Sequence, residues 1–149
     1  MYGQPCVSIS SDFRKMVLAP ASHAGCLLEL FDLMPEICMR KKISFIAPAF
    51  QTDGNKFEPE DTLVEGIVSC SANSQNFVVA FDGETKVKEV FQDQASPWFN
   101  KLIWFDWEGQ ALKQIKVDYS LSCIRLCDNV VYAIGKNAES ERYIIKVKL

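Results

Sequence analysis

The stretch "LIWFDWEGQALKQIKVD", Leu102 to Asp118, decides how the rest of the chain is read. It divides into a strand, a tight turn at Asp106-Trp107-Glu108-Gly109 and a second strand, with aspartate and glycine supplying the turn chemistry. In the first strand Leu102 and Trp104 share one face, while Ile103, Phe105 and Trp107 share the other. Large apolar side chains therefore stand on both faces. A sheet with one wet face would alternate apolar and polar residues more cleanly. From Asn129 to Gly135, Val130, Tyr132 and Ile134 oppose Val131 and Ala133, so both faces of that strand too are expected to be buried.

Related units recur along the chain. "SISSDFRKMVLA" from Ser8, "SCSANSQNFVVA" from Ser69 and "SCIRLCDNVVYA" from Ser122 each read as a strand, a polar turn and an apolar strand closing on Ala19, Ala80 or Ala133. A second element follows, with "LELFDL" around Asp32 and "LIWFDW" around Asp106, and "RYIIKVKL" in the matching place near Leu149. Repeats at intervals of about 50 to 60 residues, near the upper end of the blade range, with two-faced inner strands point to radially stacked β-propeller blades, which bury both faces against their neighbours. The expected fold is all-β, about three blades of antiparallel four-stranded sheets, a partial or half propeller in one domain. The approximate blades are 5-46, 63-118 and 119-149. The last of them is short of one outer strand.

Eleven strands are expected: 5–10, 15–19, 26–32, 37–45, 63–70, 76–82, 101–107, 110–117, 120–126, 129–135 and 142–148. No convincing amphipathic helix is found. "APAFQTDGNKFEPEDT", Ala47 to Thr62, reads as a long connection and "QDQASPWFN", Gln92 to Asn100, as an irregular insertion.

Composition narrows the function classes. With 149 residues, 48% of them hydrophobic, and a net charge of −3, the chain suits one globular domain and carries no electrostatic case for nucleic acid. The basic cluster Arg40-Lys41-Lys42 fits a solvated strand face. No transmembrane segment is expected, and the N-terminal residues do not form an export signal. Six cysteines at wide spacings, Cys6, Cys26, Cys38, Cys70, Cys123 and Cys127, read as scattered buried thiols rather than a disulfide framework. With a single histidine in the chain, no zinc site is expected.

The series "SISSDFRKMVLA", "LLELFDL", "IWFDWEGQALKQIKVD" and "VVYAIGKNAESERYIIKVKL" resembles the C-terminal half of the TolB-like six-bladed β-propeller proteins of the bacterial envelope. In that family a serine-x-aspartate turn, matched loosely by Ser10-Ser11-Asp12-Phe13-Arg14-Lys15, precedes the second strand of a blade. A phenylalanine-aspartate-x-x-glycine hairpin, matched by Phe105 to Gly109, precedes the outer strand, and Val131-Tyr132-Ala133-Ile134 matches a strand of the last blade. The resemblance covers most of the chain from Ser8 onward. It implies blade geometry and a cell-envelope or periplasmic setting, and it says little about activity. Family members are about twice this length, so a chain of this size is expected either to belong to a longer reading frame or to self-associate, completing the ring as a homodimer.

No catalytic, cofactor-binding or metal-binding residue stands out, and no cofactor is called for. The aspartates Asp12, Asp32, Asp82, Asp106 and Asp128 recur at turns, where a short carboxylate bonds the local backbone. "DGNKFEPED" fails as a calcium loop, with Phe57 at its fifth position, Glu58 where glycine belongs and Val64 at its twelfth. His23, in "PASHAG", reads as a turn histidine with no nucleophile motif nearby. Trp104 and Trp107 are expected in core and blade interfaces. Trp98 and Phe57, in the two long loops, are the candidate surface contacts. The function expected is a non-enzymatic binding or scaffold module whose partner, a protein or a small ligand, is unassigned. The alternatives are a propeller hydrolase or lactonase with a metal in the central channel and a compact all-β sandwich interaction domain.

Overall fold

The computed structural model describes residues 4–47, 50–53 and 56–148, with side chains for all of these except 50–53 and 56–58. Short β-branched and aromatic runs separated by polar turns form antiparallel sheets in simple sequential order. The first contains β1 (Cys6–Ile9), β2 (Lys15–Ala19), β3 (Cys26–Asp32) and β4 (Cys38–Ile46). After the hairpin of β5 (Phe50–Asp53) and β6 (Lys56–Pro59), the second contains β7 (Ile67–Ala72), β8 (Asn76–Phe81), β9 (Lys101–Asp106) and β10 (Ala111–Lys116). The third contains β11 (Ser120–Cys127), β12 (Val130–Lys136) and β13 (Arg142–Lys148). No described helix is long and apolar enough to cross a membrane.

The sheets stack through their first strands, with β7 packed between β1 and β11. The Oγ atoms of Ser69 and Ser71 on β7 accept the backbone N–H groups of Ile124 and Leu126 on β11, at 3.2 and 2.8 Å. Innermost strands side by side, with later strands laid outward in sequence, make a partial β-propeller rather than a two-layer sandwich. The core is correspondingly divided in two. Between the first and second sheets lie Val17, Leu28 and Leu30 against Phe77, Ile103, Phe105 and Trp107. Between the second and third lie Val78, Leu102 and Trp104 against Leu121, Ile124, Leu126 and Val131. The hairpin at Leu102 is two-faced because its sheet is the middle one, and its tryptophans serve different interfaces.

Several expectations change. The stretch 47–62 is not a bare connection, since it contains the β5–β6 hairpin. A short helix α1 (Val87–Phe91) and a single 3-10 turn at Ser22–Ala24 were not expected from the sequence, both being too short to show a periodic face. β7 begins at Ile67 rather than Leu63, because residues 63–66 bond to loops of two other segments instead of continuing a ladder. The thiols are not uniformly buried: Cys26 and Cys70 are, Cys6 is half-buried, and Cys38, Cys123 and Cys127 are exposed.

The largest correction concerns β12. Its residues alternate in burial, with Val131 and Ala133 facing the second sheet while Tyr132 and Ile134 are 41% and 50% exposed. Ala19 and Ala80 both face the following sheet, whereas Ala133 faces back to the preceding one. The third alanine is therefore out of phase by one residue, which in a strand means the opposite face. What the third sheet turns outward is a row of Cys123, Ile134 and Ile144 and a row of Arg125, Tyr132 and Lys146. At the other end the first sheet turns outward Ile9, Met16, Phe31 and Met39, paired across four strands.

Candidate functional site

Antiparallel order sends alternate turns to opposite ends of the sheets. At one end lie four of the five turn aspartates, and the carboxylates of Asp12 and Asp106 bind the local chain. Asp12 Oδ1 accepts the Ser10 hydroxyl at 2.6 Å and the Arg14 N–H at 3.2 Å, and these bonds hold its carboxyl below the ordinary aspartate value. Asp106 Oδ1 accepts the Gln110 N–H at 2.8 Å. Asp32 faces Arg40 at 3.5 Å, and the Asp128 carbonyl accepts from the Asn73 side chain. Arg40 also reaches Glu108, Lys42 pairs with Glu29, and the basic cluster is a solvated strand face.

The opposite end carries a recess of about 690 Å³ between the first two sheets. Its position is set by residues 63–66. The Glu65 N–H donates to the Thr85 carbonyl, the Gly66 N–H to the Ser22 carbonyl, and the Gly83 N–H back to the Glu65 carbonyl, at 2.8, 2.7 and 2.8 Å. A Cβ on Gly66 would lie 1.8 Å from the Gly25 carbonyl oxygen, so only glycine lets these backbones approach. This clamp turns the Glu65 side chain inward. Glu65 is 0% exposed, and its Oε1 lies 2.6 Å from Nδ1 of His23. The other carboxylate oxygen, Oε2, is buried with no hydrogen-bond partner among the described residues. The His23 ring rests against the edge of Phe91 at 5.0 Å. Ile67, Val68, Val90 and Phe99 form apolar walls, and Asp93 adds a second carboxylate.

The far wall belongs to the insertion between β8 and β9. Asp82, almost fully buried, accepts the N–H groups of Glu84 and Thr85 on Oδ1 and that of Trp98 on Oδ2, at 2.9, 3.0 and 2.7 Å. Lys101 Nζ donates to the Asp82 carbonyl at 2.6 Å and pairs with Glu84 at 2.7 Å. That bond, then the lysine charge, holds the Glu84 carboxyl below its ordinary value. One buried carboxylate thus folds the insertion back, bringing Pro97 and Phe99 over the sheets. A second recess of about 580 Å³ continues from Val68, Pro97 and Phe99 to Ser120, Lys136 and Arg142.

His23 does sit in a turn, as its sequence context indicates, but it is joined to a carboxylate 42 residues away that sequence reasoning missed. The available signal was one acidic residue inside the apolar run Leu63-Val64-Glu65-Gly66-Ile67-Val68. Trp98 is half-buried beside the recess with its backbone tied to Asp82, and Phe57 lies on β6 with a side chain outside the described residues. Asp82 is the one turn aspartate near the recess, where it works as a backbone anchor. Among the described residues no group of three or more His, Cys, Asp or Glu side chains is placed to hold a metal ion.

Sheets stacked by their inner strands, with a recess at one loop end, define a β-propeller module. No family model matches the chain, and no curated protein matches it. Among solved structures it is similar to Hsv2 from Kluyvelomyces marxianus, at 13% identity and a TM-score of 0.42, over 96% of this chain and 38% of that one. The chain thus spans well under half the length of that structure.

Proposed function

We propose that this chain is a non-enzymatic binding module, of the kind its TolB-like blade motifs resemble, which takes a small ligand in the recess above His23 and Glu65. The observation that carries the reading is the buried Glu65 carboxylate, with one oxygen unpartnered among the described residues, in the lining of a largely apolar recess. Burying an ionised carboxylate costs several kcal/mol unless both oxygens are satisfied, so fold stability alone would favour an apolar residue there. Backbone-clamped positioning and an apolar surround are the usual features of a preformed ligand site. Titration of the ¹⁵N-labelled full chain with aromatic fragments of both charges tests this. At least one fragment should shift the Ile67, Val68 and Phe99 amides saturably. A panel that shifts none of them overturns the proposal.

The same proposal includes assembly with a second copy. Inside the chain, each contact pairs the onward face of one sheet with the backward face of the next. The exposed row of Cys123, Ile134 and Ile144 and the row of Ile9, Met16, Phe31 and Met39, exposed at Ile9 and Met39 and half-buried at Met16 and Phe31, are an onward and a backward face left over. Two copies related by a two-fold axis would cover both pairs at once and supply six sheets to one ring.

A further inference from the structure

We infer that the ligand of this recess is a small organic cation, a protonated amine on an apolar body, with Glu65 Oε2 as its counter-ion. The inference rests on the recess reading and adds the ligand's chemistry. Glu65 Oε1 is committed to His23 at 2.6 Å, and Oε2 has no partner among the described residues. An ionised carboxylate accepts hydrogen bonds and cannot donate them, so the complement of Oε2 is a donor, and a charged donor makes the strongest such bond. Asp93 at the rim has the same sign, and among the described residues no lysine or arginine lines this recess, Lys136 and Arg142 lining the adjoining one. An anion placed here would meet the carboxylates of Glu65 and Asp93. The walls of Val68, Val90 and Phe99 suit a hydrocarbon or aromatic body carrying the ammonium. A metal ion is a poorer fit, since among the described residues no third ligand joins His23 and Glu65, and the histidine's Nδ1 already faces the carboxylate.

Three probes of one shape and different charge test the inference on the full chain: phenethylammonium, 2-phenylethanol and phenylacetate, each titrated while amide resonances are followed. Phenethylammonium should shift Glu65, Gly66 and Ile67 saturably and bind about tenfold or more tighter than either other probe. Glu65→Gln should remove that preference, and Asp93→Asn, at an exposed position, should weaken it about twofold with the fold intact. Should Glu65→Gln fail to fold, the probe series on the native chain and the Asp93→Asn variant still decide the outcome. Equal binding of all three probes, or a preference for phenylacetate, at these same amides overturns the cation while leaving the recess as a ligand site. No shift with any probe overturns both.

Discussion

At Gly66 the chain has no room for even a methyl group. A Cβ there would meet the Gly25 carbonyl at 1.8 Å, backbone against backbone, and no rotamer change can relieve that contact. Gly66→Ala is therefore expected to lose at least about 2 kcal/mol of stability in urea denaturation and to spread the clamp that orients Glu65. The cysteines make a second residue-level expectation. Burial pushes the Cys26 thiol up to about 12. Cys70 is also pushed up, first by its hydrogen bond to Cys6 and then by burial. A native-state thiol titration should show Cys38 and Cys127 reacting first, with Cys26 and Cys70 reacting only on unfolding. Labelling followed by peptide mass mapping checks the order, and early modification of Cys70 would contradict it.

The hairpin joining β9 to β10 shows how far local chemistry reaches at the scale of an element. Asp106 accepts the Gln110 N–H, Gly109 adopts φ +77°, and the turn forms where the Asp-Trp-Glu-Gly sequence places it. Gly109→Ala should cost about 1 kcal/mol, because the strain is in the backbone and the nearest side-chain atom is the movable tip of Ile43. In a chain of this length that is a fall of roughly 2–4 °C in Tm, read by calorimetry. Strand identity was legible in the same way for most of the sheets. The α1 helix and the β5–β6 hairpin were not, since the first has too few residues to show a period and the second lies in a polar run. Ala133 shows a different failure. Matching it to Ala19 and Ala80 places it on the right strand, yet Ala133 turns to the opposite side from those two, because a repeat read from residue identity does not report the register of its own sheet.

For the whole molecule the decisive question is what covers the outward faces. Light scattering after size-exclusion chromatography should give a mass of about twice 16.8 kDa that falls toward one chain on dilution. Ile144 is 84% exposed and, among the described residues, is paired only with Ile134 across the strands, so Ile144→Lys should change stability by no more than about 0.5 kcal/mol while weakening the dimer. A concentration-independent monomer, unchanged by Ile144→Lys, would remove the second copy from the proposal and leave the recess untouched.

Local sequence is enough to specify the all-β class, the sequential hairpins, the two-faced middle sheet and the placement of Trp104 and Trp107 in different interfaces. Each of these follows from nearest-neighbour turn chemistry or from the two-residue period of a strand, which are local properties. Only the tertiary structure decided the pairing of His23 with Glu65, the Asp82 anchor that carries Phe99 over the sheets, and which face of β12 meets water. Those depend on backbones far apart in the chain meeting so closely that one added methyl group would overlap the other, as at Gly66 and Gly25, and no local pattern of residues encodes that approach.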